Sequence, residues 1–116
     1  NKIFIWVALL MTCFCVSKPE LTVKLNPEVY YESEKGDRFA ARYGGLSDGS
    51  LNFAKVTFPD GKVITLPQLM SASGVRYSDD REYTWWEHQG TVRVEKRGPD
   101  GSWESKYSEL KPVSKP

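Results

Sequence analysis

Beyond Ser17, the chain is a succession of short runs in which apolar and polar residues alternate. This period of two recurs in residues 21–25, 39–43, 54–58 and 91–96. Such alternation places apolar side chains on one face of a β-strand, whereas a helix would show a period of 3.6 residues, which no useful stretch of the chain has. The pattern therefore predicts an all-β protein.

Turn residues separate these runs at short spacing. Two Pro-Asp-Gly tripeptides, residues 59–61 and 99–101, each lie between two predicted strands. Proline presets φ and glycine accepts a positive φ, so both tripeptides predict tight hairpins. We expect a small antiparallel β-barrel of about seven or eight strands, because closure removes exposed strand edges. Gly44 and Gly45 are expected to end one strand, and the tail from Leu110 is expected to fray.

The first seventeen residues have a different character. Lys2 precedes residues 3–16, which carry no charge and are mostly apolar. This stretch is shorter than the ~20 apolar residues of a membrane-spanning helix, and it is typical of a secretory signal peptide. We predict a signal peptide at residues 1–17 and a folded domain at residues 18–116. Cleavage before Lys18 and lipidation at Cys13, as in bacterial lipoproteins, are both open.

Composition narrows the classes of function. The formal net charge of +1 gives no reason to expect a nucleic-acid partner. Both cysteines, Cys13 and Cys15, fall in the predicted signal peptide, so the folded domain is expected to have neither a disulfide nor a thiolate metal site. With a single histidine and no calcium-loop spacing of carboxylates, no metal or cofactor is expected.

Residues 71–90 contain serine, aspartate and the single histidine, which are the residue types of a hydrolase triad. Ser73, however, is not in a G-x-S-x-G elbow, and no strand-to-helix context surrounds it. Catalysis is therefore not predicted. Instead, two loops around Ser73 and His88 are expected to lie at one barrel end as a recognition surface. Of Trp85 and Trp86, one is expected to fill the barrel and the other to cover its surface.

One segment resembles a known family. The sequence LPQLMSASGVRYSD at residues 66–79, followed by Trp85 and Trp86, resembles the C-type lysozyme inhibitors of Gram-negative bacteria, which are the membrane-bound and periplasmic inhibitors MliC and PliC. The family signature is a Leu-Pro-Gln turn, then Ser-x-Ser-Gly-x-x-Tyr, then a Trp-x-Lys-Gly loop. The resemblance extends over residues 30–96.

The resemblance implies a small antiparallel barrel that inhibits C-type lysozyme by inserting two loops into its catalytic cleft. It places Ser73 on the family serine that enters the cleft, with Gly74 beside it and Tyr77 shaping the loop. His88 aligns with the family lysine, which pairs with an ionised carboxylate of the enzyme. Arg76 is expected to add a charge at the rim of the contact.

The resemblance further implies a protein that is not itself an enzyme. We expect C-type lysozyme as its partner, the periplasm or a lipid anchor in the cell envelope as its location, and a monomer or weak dimer as its state.

Two departures from the family pattern leave another interpretation open. Imidazole is charged only in part at neutral pH, so His88 is not equivalent to lysine, and Gln89 stands where the family has glycine. The family's usual pair of cysteines is also absent, since Glu32 or Ser33 occupies the first place. An envelope scaffold or adhesin-like module of the same fold, without lysozyme inhibition, is the alternative. A small-molecule carrier is disfavoured because large aromatic residues would fill so small a barrel.

Overall fold

A computed structural model describes residues 20–115, and all of the regular elements in this range are β-strands. The nine strands are β1 Val23–Leu25, β2 Val29–Glu32, β3 Arg38–Leu46, β4 Asn52–Thr57, β5 Val63–Leu69, β6 Val75–Ser78, β7 Tyr83–His88, β8 Thr91–Arg97 and β9 Trp103–Val113. Strands β2 to β9 close into an eight-stranded antiparallel barrel, because β3 pairs with β2 and with β4. Strand β1 is an additional strand on β3. The predicted small antiparallel barrel is confirmed.

The N-terminal predictions lie outside the described residues. The signal peptide, the cleavage site before Lys18 and the lipidation site at Cys13 all fall within residues 1–19. Between residues 20 and 115, no helix is long and apolar enough to cross a membrane.

Aromatic side chains fill the barrel interior. The indole of Trp85 is 1% exposed, and its ring centroid lies 5.5 Å from that of Tyr31 and 5.8 Å from that of Phe39. Trp85 Nε1 donates a hydrogen bond of 2.9 Å to the Tyr43 hydroxyl, which lies 3.1 Å from the Tyr31 hydroxyl. Burial raises the pKa of Tyr43 far above its ordinary value, so this hydroxyl remains protonated. The core thus combines apolar packing with a chain of hydrogen bonds that pairs the polar atoms of Trp85, Tyr43 and Tyr31.

Two of the predicted strand ends are wrong. Gly44 and Gly45 do not end β3, which continues to Leu46; β1 lies so close to Gly44 that a Cβ there would overlap the carbonyl oxygen of Lys24. The tail is not frayed either. Strand β9 runs to Val113 and pairs with β2, and Leu110 is fully buried. This long-range pairing, which helps to close the barrel, orders a segment whose local pattern is weak.

Both Pro-Asp-Gly tripeptides form the predicted hairpins. Phe58 N donates to Lys62 O at 2.8 Å across the β4–β5 turn, where Gly61 has a φ of 92°. Gly98 N donates to Ser102 O at the same distance across the β8–β9 turn. In each turn the aspartate side chain accepts a backbone N–H two residues later, as in an Asx-turn.

The β6–β7 connection, residues 79–82, is organised by one carboxylate. Asp79 Oδ1 accepts hydrogen bonds from the backbone nitrogens of Arg81, Glu82 and Tyr83, at 2.9, 2.9 and 3.1 Å. Partial burial raises the pKa of Asp79, but these three donors outweigh it and hold the pKa below the ordinary aspartate value. The carboxylate therefore stabilises the turn that joins the two strands of the candidate site.

We predict that Asp79→Ala lowers the free energy of unfolding by about 1–2 kcal/mol at pH 7. Because the folded-state pKa is depressed, the contribution of the carboxylate is present above its unfolded value of about 3.9 and is lost as pH falls through the folded value. Urea unfolding at pH 7 and pH 2.5 should show a difference that shrinks in acid. Asp60→Ala is the control, since Asp60 accepts one backbone donor, and it should cost less. An Asp79→Ala difference independent of pH would contradict this role.

Candidate functional site

The antiparallel β6–β7 hairpin brings two loops to the same end of the barrel. Strand β6 follows residues 70–74, and β7 runs back to His88, with Val75 directly opposite Glu87. We call this end, which holds residues 70–74 and the turn at residues 89–90, the loop end. The expectation that the loops around Ser73 and His88 share one barrel end is therefore met by the geometry.

The second loop is a two-residue hairpin turn. His88 is the last residue of β7 and pairs with Thr91, the first residue of β8. Between them, Gln89 and Gly90 have φ values of 52° and 84°, which is the two-residue arrangement of a type I′ turn. A non-glycine residue in this conformation is uncommon, and it stands where the family motif has glycine. The turn fixes the register of β7 and β8 and, with it, the face on which His88 lies.

The first loop is fastened to β7. Trp86 Nε1 donates a hydrogen bond of 3.0 Å to Ser73 O, and Ser71 Oγ donates to the same oxygen at 2.6 Å. Gly74 has a φ of 65°, and a Cβ built on it would overlap Glu87 O and lie 3.1 Å from His88 Cδ2. Only a glycine therefore lets the two loops pack this closely, and together they form one continuous surface.

Ser73 and His88 line a single groove of about 300 Å³ at the loop end. Its other lining residues are Trp86, Thr91, Arg93 and Ser108. Most of them lie on the outer face of β7 and β8, because the alternate residues Trp85, Val92 and Val94 are buried inside the barrel. The prediction for the tryptophan pair is confirmed, since Trp85 fills the interior and Trp86 covers the surface.

The remaining sequence-predicted residues, Gly74, Tyr77 and Arg76, do not line this groove. Tyr77 is only 8% exposed, and its ring centroid lies 5.4 Å from that of Tyr43 inside the barrel. Because its side chain lies inside the barrel, Tyr77 can support the strand that follows residues 70–74, but it is not exposed to a partner. Arg76 lies on the outer face opposite Trp86 and forms an ion pair of 3.8 Å with Asp80.

Sequence reasoning missed Thr91, Arg93 and Ser108. A signal for the first two exists: in a two-residue turn at residues 89–90, alternation places residues 91 and 93 on the face of His88. Ser108 has no such signal, because irregular register between β8 and β9 sets its position.

Neither Ser73 nor His88 lines the larger cavity of the barrel surface, which shares only Ser108 with the groove. This cavity of about 480 Å³ is lined by Phe58, Tyr83 and Tyr107 together with charged side chains. Within residues 20–115, no group of three or more His, Cys, Asp or Glu side chains could hold a metal ion.

The fold and the groove define a small β-barrel with two neighbouring loops held on a rigid scaffold. The chain belongs to the family described as membrane-bound lysozyme-inhibitor of c-type lysozyme, MliC, whose model matches residues 31–103. The family resemblance in the sequence is thereby confirmed.

Two individual proteins show the likeness. A membrane-bound lysozyme inhibitor of C-type lysozyme from Yersinia enterocolitica is 51% identical over 37 residues, which are 32% of this chain and 31% of that protein. The chain therefore aligns with about a third of that relative. The crystal structure of Pseudomonas aeruginosa MliC in complex with hen egg white lysozyme superposes with a TM-score of 0.58 at 20% identity, covering 88% of this chain and 96% of that one. At this identity the likeness establishes the fold.

Proposed function

We propose that the protein inhibits C-type lysozyme by inserting its two loops into the catalytic cleft, where Ser73 and His88 contact the carboxyl groups of the enzyme. Family membership supports the inhibitor class, and a protein of the same fold has been crystallised with a lysozyme. The assignment of these two contact residues rests on a single observation: Ser73 and His88, fifteen residues apart in sequence, line one groove.

The chemistry of the two side chains suits a lysozyme cleft. C-type lysozyme uses one protonated carboxylic acid and one ionised carboxylate. A serine hydroxyl can donate to or accept from a carboxyl group in either state. An imidazolium pairs with the ionised carboxylate through a charge-assisted hydrogen bond, which is the stronger kind. One hydroxyl and one basic side chain in the same groove can therefore complement the two carboxyl groups.

The loop end is also organised before any partner arrives. The Trp86–Ser73 hydrogen bond and the close packing at Gly74 hold the first loop, and the tight turn holds the second. A binding surface that is already rigid loses little conformational entropy when it associates with a partner. This preorganisation favours a role in which a fixed shape enters a fixed cleft.

The proposal includes the setting of the protein. The chain would be exported by the signal peptide at residues 1–17 and would act in the periplasm or from a lipid anchor at Cys13. It would protect peptidoglycan as a monomer or weak dimer and would not be an enzyme. The family description as membrane-bound supports association with the envelope.

A second candidate function is an envelope scaffold or adhesin-like module of the same fold. The observation that favours it lies in the second loop. His88 replaces the family lysine, and Gln89 adopts a φ of 52° that the family's glycine would adopt without strain. A change at both positions is what loss of selection for inhibition would leave.

Clearing of a cell-wall suspension by a C-type lysozyme, measured with purified protein, tests the proposal. We expect inhibition by the natural chain, about tenfold weaker inhibition for Ser73→Ala and for His88→Ala, and roughly a hundredfold loss for the double variant, since each tenfold step corresponds to about 1.4 kcal/mol. Ser105→Ala, an exposed serine on β9, is the matched control. No inhibition at micromolar protein would favour the scaffold. Unchanged potency in both single variants would keep the function and reject the site.

A further inference from the structure

The groove contains a second basic residue besides His88. Arg93 lies on β8 directly opposite Trp86, and it is two residues beyond Thr91, the partner of His88 across the hairpin. Alternation along the strand therefore places Arg93 and His88 on the same outer face, and both line the same groove. Its position results from the register that the turn at residues 89–90 imposes.

The guanidinium of Arg93 is available for a partner. Its side chain is 54% exposed. Its ion pair with Glu95, whose side chain is 17% exposed, is long at 4.0 Å and leaves the guanidinium accessible from solvent. Two other arginines of this sheet are more engaged. The side chain of Arg76 is 21% exposed and paired with Asp80, whereas Arg97 donates to the carbonyl oxygens of Gly101 and Asp80.

The lining of the groove includes the basic residues His88 and Arg93 and no acidic residue. On the outer face of β7 and β8, the one acidic residue is Glu95, since Glu87 alternates to the inner face. There Glu87 lies near Tyr31, whose pKa is raised first by burial and then by this carboxylate. Asp80, in the β6–β7 connection, forms an ion pair with Arg76 of β6, and Glu109 of β9 is exposed.

Resting on the proposed function, we propose that Arg93 is a second anion-binding residue of the groove and supplies the permanent positive charge for the ionised carboxylate of the lysozyme cleft. A guanidinium stays charged at every relevant pH and can bind a carboxylate with two parallel hydrogen bonds. Imidazole is charged only in part near neutrality. The role of the family lysine is thus divided here between His88, at the end of β7, and Arg93, on β8.

The volume of the groove is consistent with this assignment. A liquid water molecule occupies about 30 Å³, so about 300 Å³ admits a carboxylate side chain together with bridging waters. The Ser73 hydroxyl is left to contact the protonated carboxyl group. The two carboxyl groups of one cleft would then be met by three side chains from two loops and one strand.

The test compares inhibition constants for the natural chain, Arg93→Gln, Arg93→Lys and Arg81→Gln at pH 7. We expect Arg93→Gln to weaken inhibition at least tenfold. Arg93→Lys should retain most of the inhibition. Arg81 is the matched control, because it is exposed on the β6–β7 turn at the opposite end and carries the same charge. Lysozyme is basic, so a purely long-range effect of removing either charge would strengthen association rather than weaken it.

The inhibition constants of these variants distinguish failure of the Arg93 assignment from failure of the proposed function. If the natural chain inhibits and Arg93→Gln behaves like Arg81→Gln, the assignment of Arg93 is overturned while the proposed function stands. If Arg93→Gln and Arg93→Lys lose inhibition equally together with thermal stability, the role of Arg93 is structural and the assignment is again overturned. Absence of inhibition by the natural chain would overturn both the assignment and the proposed function.

Discussion

Replacing Gly74 by alanine should remove inhibition and lower the free energy of unfolding by about 2–4 kcal/mol. Two costs add. The left-handed conformation at φ 65° disfavours any residue with a Cβ, by about 1–2 kcal/mol. The new methyl group would also overlap the carbonyl oxygen of Glu87, a backbone atom of a paired strand that cannot turn aside as a flexible side chain would. The loop must therefore move away from β7 and stretch the Trp86–Ser73 hydrogen bond.

Two further variants separate these costs. Gly61→Ala has the same kind of conformational penalty at φ 92°, but a Cβ there meets nothing within 4 Å, so it should cost only about 1–2 kcal/mol and leave inhibition intact. Gly74→Asn tolerates the left-handed conformation yet still adds the Cβ, so it should lose inhibition as Gly74→Ala does. Thermal unfolding and lysozyme clearing assays measure both effects. Inhibition by Gly74→Ala at the natural level would show that the close packing of the loops is unimportant.

Much of the barrel could be predicted because its information is local. Alternation along residues 39–43 and 91–96 marks the inner faces of β3 and β8, and Pro-Asp-Gly specifies two hairpins. The missed ends of strands depend on distant partners. Strand β9 extends to Val113 because it pairs with β2, eighty residues away, and Gly45 stays in β3 because β1 and β4 flank it. No local pattern encodes either pairing.

Some residues of the candidate site could likewise be predicted from local sequence, whereas others depend on how the strands pair. The motif around Ser73 and the tryptophan pair could be found in the sequence because their spacing is fixed within one hairpin. The inclusion of Arg93 requires the register of β7 against β8, and that register follows from the unusual φ of Gln89. Ser108 enters the groove through bulges in β9, which arise from packing and leave no signature in the sequence.

Trp85→Ala should have the largest effect on stability of any single substitution considered, a loss of about 3–5 kcal/mol. The described part of the chain contains no cysteine, so no disulfide supplements the core. Trp85 is 1% exposed, meets Tyr31 and Phe39 edge to face or tilted, and gives the Tyr43 hydroxyl a donor. Small domains have total stabilities of about 5–15 kcal/mol, so the midpoint of thermal unfolding should fall by about 15 °C or more.

The adjacent tryptophan provides the matched control for this prediction. Trp86→Ala removes an indole of the same size, but from the outer face, where it lies half-buried and donates to Ser73 O. We expect it to cost about 1 kcal/mol of stability and to weaken inhibition at least tenfold, because the first loop loses its attachment to β7. Trp85→Phe should fall between the natural chain and Trp85→Ala in stability and should keep inhibition wherever it remains folded. Equal destabilisation by Trp85→Ala and Trp86→Ala would contradict the division of the pair into one core residue and one loop-fastening residue.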